Sequence, residues 1–137
     1  RDDLEQLVCT LGIQADVCMP GFVENPFQYM ARASVLVLSS AYEGLPGVLI
    51  QALACGCPVI STDCPGGSSE ILEDGKYGAL VSIGKADEMA KAILVELDDP
   101  TPRAILLHRA VDFSVERAVS SYLALLDAVV NQAADRT

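Results

Sequence analysis

Apolar residues recur at helical spacing at Leu4, Leu7, Val8 and Leu11, with Gly12 next in line as a C-cap, so the pattern predicts a helix over residues 2–11. A short strand is predicted at residues 16–19, stopped by Pro20-Gly21, and a short helix over 26–33 with Pro26 near its first position. The all-apolar run Val35-Leu36-Val37-Leu38 reads as a strand buried on both faces of a parallel sheet. A loop over 39–46 leads into a helix over 47–54, which Gly56 and Pro58 end. Residues 59–62 form the next buried strand, 63–67 a second loop, and 68–72 a short helix that Ser68 or Ser69 can cap. After the turn 75–78 comes a strand at 79–81. Residues 86–97 are amphipathic, with Met89, Ile93 and Leu97 on one face, and Pro100 and Pro102 break that helix. A further helix is predicted over 101–111, and Ser114 reads as the N-cap of a long last helix. The capping box is incomplete, because Arg117 stands where Glu or Gln is wanted.

Strands alternate with helices throughout, without an internal repeat. That order predicts an α/β fold: a Rossmann-like parallel sheet flanked by helices, joined by right-handed crossovers. Ligands of such sheets bind at the carboxyl ends of the strands. The loops 39–46 and 63–67 each follow a buried strand and precede a helix, so they are the places to look.

The length of 137 residues fits one domain, and about half of the residues are apolar, enough for a core. Nine Lys+Arg against nineteen Asp+Glu give a net charge of −10, which argues against a nucleic-acid partner and against a polybasic membrane patch. An anion can still be bound locally, at helix N-termini. The five cysteines, Cys9, Cys18, Cys55, Cys57 and Cys64, follow no framework and read as reduced thiols of a cytoplasmic protein. Cys55-Gly-Cys57 lacks a second ligand pair, so it reads as structural thiols and no metal site is expected. No stretch reaches the roughly 20 apolar residues of a membrane span. The opening Arg1-Asp2-Asp3-Leu4-Glu5 has neither a methionine nor a signal-peptide pattern, and the expectation is that it starts inside a longer domain.

In the first loop, Gly44 and Gly47 keep side chains away so that a ligand can approach the backbone, and Pro46 pre-sets the first helical turn. The free N–H groups of that turn and the helix dipole suit a phosphate. Glu43 at the loop tip accepts hydroxyl hydrogen bonds, and Gln51, eight positions later, can face the same cleft. Such a set fits a sugar nucleotide. An ordinary strand-to-helix turn with a surface glutamate explains it equally well, and that alternative stays open. Gly66 and Gly67 of the second loop permit close approach too, though a Pro-Gly-Gly turn with a capped helix is sufficient reason for them. Ser39 or Ser40 as a nucleophile has only the distant His108 as a base, so a hydrolase triad is not expected.

The run from Glu43 to Gly66, with Glu70-Ile71-Leu72, Gly75-Lys76-Tyr77-Gly78, Gly21-Phe22-Val23 and Asp112-Phe113-Ser114, resembles glycosyltransferase family 4, the glycosyl transferases group 1 of the GT-B fold. Almost the whole chain takes part. The resemblance implies the C-terminal, donor-binding domain of a retaining glycosyltransferase, one that moves a sugar from a nucleotide-diphosphate-sugar to a glycan or lipid-linked acceptor. It implies that Glu43 is the catalytic-site glutamate that contacts the hydroxyls of the transferred sugar. Gly44, Leu45, Pro46 and Gly47, with Gly66 and Gly67, would face the phosphates and sugar. Gln51 would face the ribose, in a place where the family usually has a second glutamate. Metal-independent transfer without a cofactor is implied.

The acceptor would be held by an N-terminal domain that, like the first strands of this one, lies outside the 137 residues. The expected consequences are an inactive isolated fragment and a sheet with an open side. The resemblance also admits peripheral association of the full-length protein with the inner face of the cell membrane. Two alternatives remain: a non-catalytic nucleotide-sugar-binding or scaffolding relative, suggested by Gln51, and another GT-B enzyme such as a nucleotide-sugar epimerase.

Overall fold

Val59-Ile60-Ser61-Thr62 is buried at all of its positions and becomes the middle strand of the sheet. Residues 1–134 are described by the computed structural model. In chain order the elements are α1 (Asp2–Leu11), α2 (Phe27–Met30), β1 (Leu36–Leu38), α3 (Gly47–Cys55), β2 (Val59–Thr62), α4 (Ser68–Leu72), β3 (Ala79–Val81), α5 (Ala86–Asp98), α6 (Arg103–Val111) and α7 (Val115–Ala134). The sheet is parallel in the order β1-β2-β3, with Leu36 beside Val59 and Ile60 beside Ala79.

Register decides what each face carries, because partners in neighbouring strands point the same way. One face bears Leu36, Leu38, Val59 and Leu80, which join Leu49, Ala52 and Leu53 of α3, Ile71 and Leu72 of α4, and Leu106 of α6. Leu49, Leu53, Ile71, Leu72 and Leu106 are fully buried, each a stabilising burial of roughly 1.5–3 kcal/mol. The other face bears Val37, Ile60, Thr62 and Val81, and α5 packs over its β2 and β3 part. Gly56, at φ 68°, ends α3 in the left-handed conformation; the amides of Gly56 and Cys57 return to the carbonyls of Leu53 and Ala52.

The α/β parallel sheet expected from the sequence is present. Two local expectations are corrected. Residues 16–19 form no strand, since they have no neighbouring strand among the described residues to supply a ladder. β1 is not buried on both faces: Val37 is 40% exposed because α5 covers the middle strand and stops short of the sheet edge at β1. Ser114 does cap α7, its Oγ accepting the Arg117 amide at 3.3 Å. Leu4, Leu7 and Leu11 of α1 and Tyr122, Leu123 and Leu126 of α7 are exposed.

Candidate functional site

Both loops singled out in the sequence emerge from the carboxyl ends of adjacent strands and are joined into one rim. The Glu43 amide donates to the Pro65 carbonyl at 3.2 Å, and the Gly67 amide to the Gly44 carbonyl at 2.7 Å. Thr62, at the end of β2 and almost fully buried, donates through Oγ1 to the Ser40 carbonyl and so ties the first loop to the middle strand. Backbone groups that would otherwise lie unpaired in the loops thus satisfy one another.

The glycines of the rim divide by what surrounds them. A Cβ on Gly66, whose φ is 130°, would overlap the Glu43 carbonyl. A Cβ on Gly67 would stand 2.9 Å from Leu45 Cδ1 and 3.2 Å from the Gly44 oxygen. The close approach that Gly66 and Gly67 permit is therefore that of one loop to the other. Gly44 and Gly47 differ: an added Cβ there would meet nothing within 4 Å, and neither has a positive φ.

Glu43 is half-buried, and its Oε1 accepts a 2.6 Å hydrogen bond from Ser40 Oγ. Pro46 is buried and precedes α3, whose N-terminus carries no side-chain cap. The amides of Gly47 and Val48 have no acceptor among the described residues, as the first turn of a helix leaves them. Gly47 and Gln51 lie one turn apart on the exposed face of α3, while Leu49, Ala52 and Leu53 face the core. Leu45 is exposed beside them. Gln51 and the α3 N-terminus thus share the exposed face of α3, and Glu43 stands in the loop that leads into that helix.

On the α5 side of the strand ends, Ser39, Thr62, Ser82, Lys85, Met89 and Ile93 line a cavity of about 360 Å³. Lys85 brings a cation to the strand ends. Lys76 instead pairs with Glu73 at 2.7 Å, a hydrogen bond that raises its pKa. Arg32 is exposed beside α2.

Two features escaped the pattern. Ser68 does not cap α4; it turns inward to lie 3.2 Å from Ser61 Oγ, and Gly67 occupies the cap position. Arg109, 8% exposed, binds the C-terminal part of α4. Its Nε donates to the Ile71 carbonyl at 2.9 Å and its guanidinium to the Glu70 carbonyl at 2.7 Å. It also pairs with Asp112 and Glu73, each at 2.9 Å, and stacks between Tyr77 and Phe113. Only the i,i+3 spacing of Arg109 and Asp112 hinted at it.

All five cysteines are free. Cys57 is buried and its pKa is raised, chiefly by desolvation, whereas Cys9 and Cys18 are exposed. Among the described residues no group of three or more His, Cys, Asp or Glu is placed to hold a metal ion, and no helix is long and apolar enough to cross a membrane.

A parallel α/β sheet with a stitched, glycine-bearing rim at its strand ends defines a Rossmann-like domain. Residues 1–99 match the family model "Glycosyl transferases group 1", and the chain belongs to that family, as a C-terminal portion of its GT-B fold. It is 33% identical over 110 residues to the Campylobacter jejuni N-acetylgalactosamine-N,N'-diacetylbacillosaminyl-diphospho-undecaprenol 4-alpha-N-acetylgalactosaminyltransferase, covering 80% of this chain and 30% of that protein. It is 34% identical over 131 residues to the Rhizobium meliloti lipopolysaccharide core biosynthesis glycosyltransferase LpsE, covering 92% and 38%. The chain therefore spans about a third of the length of these curated relatives. Among solved structures it resembles Anabaena Alr3699/HepE in complex with UDP, with a TM-score of 0.78 and 26% identity over 95% of this chain and 36% of that one. The sucrose-phosphate synthase of Thermosynechococcus elongatus superposes with a TM-score of 0.80 and 28% identity, over 95% and 34%.

Proposed function

We propose that this chain is the donor-binding part of a retaining glycosyltransferase that uses a nucleotide-diphosphate-sugar and delivers the sugar to a glycan or lipid-linked acceptor. The observation that carries the reading is that one short loop holds three features: the hydrogen-bonded carboxylate of Glu43, the uncapped N-terminus of α3 that follows it, and the two glycines Gly44 and Gly47. Neither backbone conformation nor packing within the chain requires those two glycines. A ligand lying against the loop gives them a reason.

The chemistry fits the charges. The amides and dipole of α3 stabilise the diphosphate, most strongly as negative charge grows on the leaving group. Glu43 accepts hydrogen bonds from the sugar hydroxyls, and Gln51, one turn further along α3, exchanges hydrogen bonds with the ribose. Gly66 and Gly67 support the rim from beneath. Uridine is the nucleotide supported by the HepE complex. A lipid-linked or lipopolysaccharide acceptor is supported by the names of the Campylobacter and Rhizobium relatives. The matching location is the cytoplasm, at the inner face of the membrane.

The test is UDP release by the complete gene product with UDP-glucose, UDP-galactose and UDP-N-acetylgalactosamine, alongside saturation-transfer NMR with UDP, GDP and ADP. Turnover of one donor that falls at least about 100-fold in Glu43→Gln supports the reading. The exchange of a family glutamate for Gln51 favours one second reading, a non-catalytic binding relative. UDP binding without release from any donor would select that reading; no binding of UDP, GDP or ADP would remove both.

A further inference from the structure

We propose that Ser40 is a positioning residue for the donor sugar, acting through Glu43; this rests on the reading above that Glu43 meets the sugar. The sequence offered Ser40 only as an unsupported nucleophile. The structure gives it a different use. Its Oγ donates to Glu43 Oε1 at 2.6 Å, a short charge-assisted hydrogen bond at a half-buried position. Among the described residues this is the only hydrogen bond the Glu43 carboxylate makes.

The donor is itself held. Its carbonyl accepts from Thr62 Oγ1, and Thr62 is 4% exposed at the end of the middle strand. The Glu43 amide is fixed on the Pro65 carbonyl. The order of support thus runs from β2 through Thr62 to Ser40, and from Ser40 to one oxygen of Glu43. With Oε1 engaged by Ser40, the carboxylate's rotation is restrained, which leaves Oε2 to accept from a sugar hydroxyl. A glutamate on a loop otherwise has three side-chain torsions to order when a ligand arrives, and fixing them in advance strengthens binding and transition-state contacts.

Ser40→Ala in the complete gene product, assayed with the UDP-sugar that the unmodified protein turns over, is the test. Loss of this hydrogen bond is expected to lower kcat/KM about tenfold. UDP affinity and the thermal midpoint are expected to stay within error, because UDP lacks the sugar that Glu43 addresses. Ser40→Thr keeps the hydroxyl and is expected to restore most of the activity. In a Glu43→Gln background, Ser40→Ala is expected to cost nothing more, the non-additivity of residues that act as a unit. Ser40→Ala at full activity while Glu43→Gln is disabled would overturn the proposal and leave the donor site standing. Additive losses in the double variant, or UDP affinity and melting temperature falling together, would also overturn it. Full activity of Glu43→Gln itself would remove both readings.

Discussion

The backbone carbonyl of Glu43 occupies the space into which any side chain on Gly66 would grow. The second loop is thus a floor under the first, and the acidic tip of the rim keeps its height because residue 66 has no Cβ. Gly66 also has a φ of 130°, outside what other residues adopt readily.

Gly66→Ala is expected to destabilise the protein by about 3 kcal/mol, through strain and collision with backbone that cannot yield. A thermal or urea unfolding series reads this directly. An unchanged midpoint would mean that the two loops are not in contact in solution.

Gly44→Ala separates binding from stability. With nothing within 4 Å of the added carbon, the unfolding midpoint is expected to move by less than about 1 kcal/mol in equivalent stability. Affinity for a UDP-sugar is expected to fall, since the methyl would take the ligand's place at the rim. Calorimetric titration against the unmodified protein measures both.

Arg109→Met is expected to cost about 2–3 kcal/mol, chiefly from backbone carbonyls left without a donor, since Glu73 keeps Lys76 and Asp112 keeps Arg117. It leaves Asp112 and Glu73 without the guanidinium and strips the Glu70 and Ile71 carbonyls of their donor. Arg109→Lys is expected to recover only part of this. A single ammonium cannot span four acceptors, nor stack between Tyr77 and Phe113 as a planar group does. Denaturant midpoints for the two variants decide it.

The thiols give a prediction in pH. Burial raises the Cys57 pKa above 9.0, so the folded state holds this thiol protonated after the unfolded chain has begun to lose its proton. Its contribution to stability is full below pH 9.0 and declines as pH rises through the higher folded value. In Cys57→Ala this alkaline decline is expected to be smaller. A thiol reagent at neutral pH is expected to label Cys9 and Cys18 at once, and Cys57 and Cys64 only on unfolding. Mass spectrometry of a labelling time course checks the order.

Gln51→Glu places on the exposed face of α3 the carboxylate that the resemblance to the family implies for this position. It is expected to leave the melting temperature unchanged, since Gln51 packs against nothing in the core, and to tighten UDP binding several-fold through a stronger acceptor for the ribose hydroxyls. Titration with UDP measures the change.

Much of the fold was legible because its signals are local. Val59-Ile60-Ser61-Thr62 is apolar enough to be a buried strand wherever it sits, and Gly56 and Pro58 punctuate what precedes it. Val35 to Leu38 carries the same signal, yet Val37 is exposed, since burial depends on which helix lies over which strand. Residues 16–19 have a strand's pattern, yet a strand exists only with a neighbour. In the site, Glu43, Gly44, Gly47 and Gln51 stood out by type and spacing. The Ser40–Glu43 bond did not, because two polar residues three apart in a loop meet only if the backbone turns them together.

By itself the sequence determined the alternation of helices and strands from residue 36 onward, the two loops at the sheet's rim and the family to which they belong, because periodicity, glycine, proline and a long motif act over short stretches of chain. The tertiary structure alone decided that the loops are stitched through Glu43, Pro65, Gly44 and Gly67, that Gly66 serves the first loop's backbone, and that Arg109 holds α4 across some forty residues of chain. Those are contacts between distant segments, and their geometry is fixed only when the sheet and its covering helices have packed.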